Sequence, residues 1–392
     1  ALTLAAAEQE PRLARHLPLR MCHADPATVA LRRLDLGGEP ARRLLAAHLE
    51  RCGERAAVVS APPGLSVRRH VDDETMASII IPFRDQPELL AACVDSILAH
   101  TRRPLFELML VDNCSSSPRT AELLARLTAA EPERVRVIEY PAAFNFSAIN
   151  NFAAHEARGE VLVLLNNDTE IVTDDWLATF VGLANRPDAG AVGALLTFPD
   201  GNIQHCGIAL GMGSWPGRIH GVAGLMFSGC AVDAVPPLLV GFEHRVGAVT
   251  AACLAVRRDR YLSVGGMDEE LHTDFNDVDL CLKLAARGFT NLFTPHVRVV
   301  HYESATRVGR PIDPREVELM YGRWGDRIAY DPHISPHIDP AGPRSIATAI
   351  VAASPGQTAV TLVMVSAGKT FTGTAIISGF KVSNPVASKV HV

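Results

Sequence analysis

The sequence predicts an α/β fold in which a mostly parallel sheet is covered by helices on both faces. Three observations carry that prediction. Short apolar runs recur as SIIIPF, FELMLVD, VRVIEY and EVLVLLNND. Segments with helical spacing separate them, namely PELLAACVDSILAHT, TAELLARLTAAE and SAINNFAAHEA. Polar residues gather where the runs end. Continuous apolar runs are the signature of strands buried on both faces, and strand–helix alternation implies right-handed crossovers.

In chain order, residues 1–75 are rich in Ala, Arg and Leu and predict a helical N-terminal extension, with PARRLLAAHLERCGERAAVV as its clearest helical stretch. The alternating unit begins at about Ala77. From about Pro199 to Val246 the chain is Gly-rich and irregular, predicting loops and short strands. Regular structure returns with GAVTAACLAVRR as a strand, DVDLCLKLAARG as a helix ended by Gly288, and TPHVRVVHY as a closing strand. Residues 343–392 are rich in Ala, Val, Thr and Ser, and predict a β-rich tail.

Composition narrows the function. The chain has 392 residues, 48% of them hydrophobic, which is ample for a sizeable core. Its formal charge of -6 comes without a basic stripe, which argues against a nucleic-acid partner. A negatively charged ligand therefore needs local help, such as a cation. The eight cysteines form no C-x-x-C pair and read as reduced thiols of a cytoplasmic protein. No run is long enough to span a bilayer, so any work at the inner face of a membrane would be peripheral.

Ligands of such sheets bind beyond the carboxyl ends of the strands. The acids placed there are Asp85, Asp112 and Asp168, the last preceded by Asn166 and Asn167. A carboxylate ending a buried strand is costly unless solvated, paired or metal-bound. Asp168 is thus a metal-ligand candidate, while a cap for the helix in TDDWLATF is the competing reading. In FNDVDLCLKLAARG, Asp279 leads the apolar pattern and suits a helix cap. Asp277 lies in the loop before it and is the better general base. His301 ends a strand; alone, such a histidine is usually structural.

The ordered pieces SIIIPFRDQPELL, LVDNCSSS, FNFSAINNFAA, LVLLNNDTEI, DGNIQHCG, VTAACLAVRR, VGGMDEEL, FNDVDLCLKLAARGF and VRVVHYES resemble the family 2 glycosyltransferases of the GT-A fold. RWGDRIAYDP is similar to bacterial, rhamnosyltransferase-like members that build surface polysaccharides. The resemblance implies a GT-A domain over 76–342, with a nucleotide-binding half (76–170) and an acceptor half (171–342). It implies that Pro82 and Asp85 border the nucleotide, that Asp112 holds a uracil or thymine base or its ribose, that Asn150 lies near the diphosphate, and that Asn167 is nucleotide-binding. Asp168 matches the last acid of the D-x-D metal motif, Asp277 the catalytic base, and His301 a histidine that completes the metal shell in some members.

The implied cofactor is Mg2+ or Mn2+. The implied partners are a UDP- or dTDP-type sugar donor and a glycan or lipid-linked acceptor. On the acceptor side the candidates are His205, Trp215, His220 and Asn276.

Two positions depart from the family pattern. Asn166 offers an amide oxygen where the motif has a carboxylate, so metal affinity without donor is expected to be weak. Asn276 replaces an acid before the base, which removes a like charge beside Asp277. These changes motivate a competing reading as a decayed, sugar-nucleotide-binding or scaffolding module. A nicotinamide-dependent dehydrogenase is set aside because PFRDQPE stands where G-x-G-x-x-G is required.

Overall fold

The computed structural model describes residues 38–61, 64–102, 105–235, 237–303 and 311–334, and the tail strands 348–353, 359–366 and 369–376. Its centre is a sheet of ten strands. Four are parallel neighbours: β3 (Met76–Phe83), β4 (Leu105–Asp112), β5 (Val135–Glu139) and β6 (Val161–Leu165). The other half adds β8 (Ala189–Thr197), β12 (His244–Arg245), β13 (Cys253–Arg257) and β14 (Thr290–His301), giving the order β12-β14-β8-β13-β6-β3-β4-β5. β7 (Thr169–Ile171) pairs with β14, and β9 (Ile203–His205) with β8. β13 runs antiparallel to both β6 and β8, while β8 and β14 are parallel. Along the eight-strand path four of the seven neighbouring pairs are parallel, the mostly parallel centre that the apolar runs implied, while β7 and β9 attach antiparallel.

Successive side chains of these strands serve opposite faces, which explains why the runs are continuously apolar. Ile79, Ile81, Leu108, Leu110, Val161 and Val163 join one core, while Ile80, Met109, Val111, Leu162 and Leu164 join the other. The first core is closed by α2 (Pro87–His100), α3 (Pro118–Ala130) and α5 (Trp176–Ala184), through residues such as Leu90, Ile97, Leu123 and Phe180. The second is closed by α4 (Phe146–Glu156), α8 (Asn276–Ala286) and α9 (Pro314–Ile328), through Ile149, Ala153, Leu280, Val317 and Met320. Helices on both faces of one sheet make an α/β/α sandwich.

Local chemistry starts the helices. Pro occupies the first turn of α2, α3 and α9, where its missing N–H costs nothing. Asn145 caps α4 by accepting from the Ala148 amide, and Asp313 caps α9 by accepting from Arg315. Gly159, before β6, is required by close approach, since a Cβ there would lie 2.5 Å from the Ser78 nitrogen.

Three elements differ from the sequence expectation. The N-terminal extension is helical only in α1 (Glu39–Arg51); AAVVSA and GLSVRR form an antiparallel hairpin of β1 (Ala56–Ala61) and β2 (Gly64–Arg69). Val58, Val59 and Val67 favour that pleat, and Pro62 and Pro63 bar a continuous helix. Residues 1–37 lie outside the described ones. GAVTAACLAVRR is a strand only from Cys253; residues 247–252 form a loop. Helix α8 starts one residue before Asp277, with Phe275 at a left-handed φ of 58° as its N-cap. The tail strands β15 (Thr348–Ala353), β16 (Ala359–Ser366) and β17 (Lys369–Ile376) form a separate antiparallel sheet, matching the β-rich expectation.

Among the described residues, no helix is long and apolar enough to cross a membrane. Cys52, Cys93, Cys114, Cys206, Cys230, Cys253 and Cys281 are free.

Candidate active site

A cleft of about 590 Å³ opens beyond the carboxyl ends of β3 and β6. Pro82, Asp85, Asn113 and Phe144 line one part; Asn166, Asn167, Asp168, His301 and Glu303 line another; Thr250, Ala251, Thr273, Asn276 and Asp277 complete the wall. The topology thus brings four acids, Asp85, Asp168, Asp277 and Glu303, and a histidine into one cavity.

Asp168 and His301 are both almost fully buried. Their β7 and β14 segments pair antiparallel, with His301 opposite Thr169. The Tyr302 amide donates to the Asp168 carbonyl, locking the two chain ends together. His301 Nε2 lies 3.1 Å from Asp168 Oδ1 and 3.3 Å from Asn166 Nδ2, while Nδ1 lies 2.5 Å from Gln204 Oε1. The capping reading of Asp168 does not hold: β7 follows it directly, and α5 starts at Trp176 with Asp175 as its N-cap.

This pair fits a divalent cation by its chemistry. An amide nitrogen only donates and a carboxylate oxygen only accepts, so the Nδ1–H tautomer takes the Asn166 contact through its Nε2 lone pair, with the Asp168 oxygen as a second acceptor beside it. Two acceptors facing one point suit a metal that takes oxygen and imidazole ligands. Among the described residues no group of three or more His, Cys, Asp or Glu could hold a metal by itself. The two protein ligands leave positions for phosphate oxygens and water.

Asp277 stands in the first turn of α8, not in the loop before it. Its Oδ2 accepts from the Ala251 amide at 3.1 Å and its Oδ1 from Val278 at 2.8 Å. The Ala252 carbonyl in turn accepts from the Asn166 amide at 3.0 Å. One loop thereby links the candidate base to the metal-side strand end. Asn276 lines the cleft beside it, and its buried Nδ2 has no hydrogen-bond partner among the described residues.

Asp279 is not a helix cap. It is fully buried, accepting at Oδ1 from Arg323 at 2.7 Å and Trp324 at 2.8 Å, with Lys283 Nζ ion-paired 2.9 Å from Oδ2. Glu316 of α9 accepts from the amides of His272, Thr273 and Asp274, in the loop leading into α8. Burial raises its carboxyl above the usual range, with those amides opposing the shift.

Other expected positions move. Asp85 lines the cleft at a left-handed φ of 53°, and its carboxylate accepts from the amides of Ser116 and Ser117 at the start of α3. The Ser117 amide, followed by that of Ser116, holds it below the usual carboxylate range. Asp112 does not line the cleft; its Oδ1 accepts from the Ser115 amide. Asn113 reaches the cleft instead, and its Nδ2 donates to the carbonyls of Tyr140 and Ala142. Asn150 is fully buried within α4, donating to the Phe146 carbonyl, away from the cleft lining.

His205 is fully buried and cannot touch an acceptor. Its Nδ1 donates to the Ala194 carbonyl and its Nε2 accepts from the Thr250 amide, which supports the 250–252 loop from below. Burial depresses its pKa from 6.5 to about 4, keeping it neutral. Trp215 packs on the second core, and His220 stands against Tyr321 with its Nδ1 on the Gly221 carbonyl; neither lines the cleft.

Sequence reading missed Asn113, Gln204, Glu316 and the Asp279 partners. The motifs DGNIQHCG and RWGDRIAYDP contained Gln204, Arg323 and Trp324, but nothing local said what they face.

Comparison with known proteins follows the same line. The model for glycosyl transferase family 2 matches residues 78–217. The uncharacterized protein y4gI of Sinorhizobium fredii is 40% identical over 311 residues, covering 76% of this chain and 33% of that protein. The O-antigen biosynthesis protein RfbC of Myxococcus xanthus is 39% identical over 316 residues, covering 78% of this chain and 24% of that protein. The chain thus spans a third or less of the length of these relatives. A crystal structure of GalNAc-T7 with UDP, GalNAc and Mn2+ superposes with a TM-score of 0.53 at 19% identity, covering 66% of this chain and 50% of that one. Residues 78–217 thus match glycosyl transferase family 2, and the α/β/α sandwich around them is the GT-A fold.

Proposed function

We propose that this domain transfers a sugar from a UDP- or dTDP-type donor to a hydroxyl of a glycan or lipid-linked acceptor, with inversion at the anomeric carbon. One observation carries the reading: the Asp168–His301 pair and Asp277 line the same cleft. The similarity to an O-antigen biosynthesis protein supports a surface-polysaccharide acceptor.

Asp168 and His301 would hold Mg2+ or Mn2+ together with the donor diphosphate; the ion, when bound, supplies charge neutralisation to the leaving group. Pro82 and Asn167 border the nucleotide. Asp277 accepts the proton of the acceptor hydroxyl as that oxygen attacks the anomeric carbon, while the Ala251 amide keeps the carboxylate aimed into the cleft. Asn276 borders the acceptor beside Asp277.

The Asn166 amide, directed at His301 where a carboxylate would stand, favours the competing reading of a binding or scaffolding module. Release of nucleoside diphosphate from a panel of sugar nucleotides, with and without Mn2+, decides between them. A transferase releases it in an ion-dependent way for one donor class; a module with a lost site releases none.

A further inference from the structure

The Gly-rich segment holds a buried glutamine that the reaction as described does not use. Gln204, on β9, is only 5% exposed, and His301 is 7% exposed. Gln204 Oε1 lies 2.5 Å from His301 Nδ1, and Gln204 Nε2 donates toward Glu303 Oε2 at 3.5 Å. Glu303 lines the cleft and sits at a left-handed φ of 42°. The carboxylate of Glu303 accepts, so it takes the amide N–H of Gln204 and turns the carbonyl oxygen toward the imidazole. That oxygen also only accepts, so the proton on the ring belongs on Nδ1.

We infer that Gln204 is a positioning residue that fixes the tautomer of His301 and leaves the Nε2 lone pair facing Asp168. The alternative tautomer would put a hydrogen on Nε2 and close an N–H···O bond to Asp168 Oδ1. That bond would occupy both acceptors at the point where a cation is to be gripped. With Nδ1–H committed to Gln204, the neutral imidazole has no second N–H to close onto the carboxylate. The chain Glu303–Gln204–His301 therefore preorganises the pair, as outer partners of metal-binding histidines commonly do. The inference rests on the assignment of Asp168 and His301 as ligands of a divalent cation.

The test uses the whole chain and the variants Gln204→Met and Gln204→Glu. Nitrogen-15 NMR of the imidazole in metal-free protein reads the tautomer directly, without reference to activity. Wild type is expected to carry its proton on Nδ1, and Gln204→Met to shift it to Nε2. Gln204→Glu retains an acceptor oxygen and is expected to keep it on Nδ1. Mn2+ titration in the presence of UDP should show about 10–100-fold weaker binding for Gln204→Met and a return toward wild type for Gln204→Glu. An unchanged Nδ1 tautomer in folded Gln204→Met overturns the inference. Failure of wild type to bind Mn2+ with UDP is a different outcome: it removes the metal assignment, and this inference with it.

Discussion

Arg323 donates from Nη1 to the buried Oδ1 of Asp279 over 2.7 Å, joining α9 to the helix that carries the candidate base. Trp324 and Lys283 converge on the same carboxylate. Removing one member of a buried ion pair strands the others, at a cost of about 3–5 kcal/mol. Asp279→Ala is therefore expected to lose about that much stability, read from urea denaturation; a loss within 1 kcal/mol, on the order of a surface change, would contradict the clamp.

Glu316 predicts a functional counterpart. It organises three amides of the loop before α8, and hydrogen bonds to a charged group contribute about 1.5–3 kcal/mol. Glu316→Ala is expected to lower turnover, because the loop that contributes Thr273 to the cleft loses its anchor, while donor affinity stays near wild type. Steady-state kinetics with varied donor separates the two; a change confined to donor affinity would place the effect elsewhere.

For Asp277, the Asn variant keeps an oxygen for the Val278 or Ala251 amide but cannot take a proton. Turnover should fall by roughly 10²–10⁴ with donor binding retained. Near-normal release of nucleoside diphosphate by Asp277→Asn would remove this residue from the base role.

Ion binding should appear as stabilisation. At a ligand concentration 100-fold above its dissociation constant the folded state gains about 2.7 kcal/mol. The shift in thermal unfolding caused by Mn2+ with UDP is expected to vanish in Asp168→Asn and in His301→Ala. Persistence of the shift in both variants would show that the ion binds elsewhere.

Acid should weaken the fold through His205. Its folded pKa is about 4 against an ordinary 6.5, so between those values the unfolded chain binds the proton and the folded chain does not. The stability it contributes is complete above pH 6.5 and is lost as pH falls through 4. Its size is about 3 kcal/mol. Urea midpoints from pH 7 to pH 4 should fall less steeply in His205→Gln; identical slopes would show that His205 does not carry the effect.

Much of the architecture was legible because it is written locally. Continuous apolar runs such as SIIIPF and VLVLL have only one economical fate, burial on both faces of a sheet, and the two cores on either side of Ile79 and Ile80 follow from a period of two. The hairpin at 56–69 was misread because Ala- and Arg-rich composition favours helix, while cross-strand pairing of Val58 with Val67 overrode it. Asp277 and Asp279 lie two residues apart at a helix start, and the cap expected of Asp279 is instead the centre of a buried ion-pair cluster. That one lines the cleft while the other is buried among cations depends on what α9 brings to Asp279.

By itself the sequence determined the layered sheet, the strand ends where ligands gather, and three chemically suited side chains, Asp168, Asp277 and His301. Those properties depend on residue type and on spacing along the chain. Only the tertiary structure decided that Asn113 rather than Asp112 lines the cleft, that His205 lies in the core, and that Gln204 faces His301. A side chain's partner is set by register between strands distant in sequence, here β8 with β9 and β7 with β14, and no local pattern encodes that register.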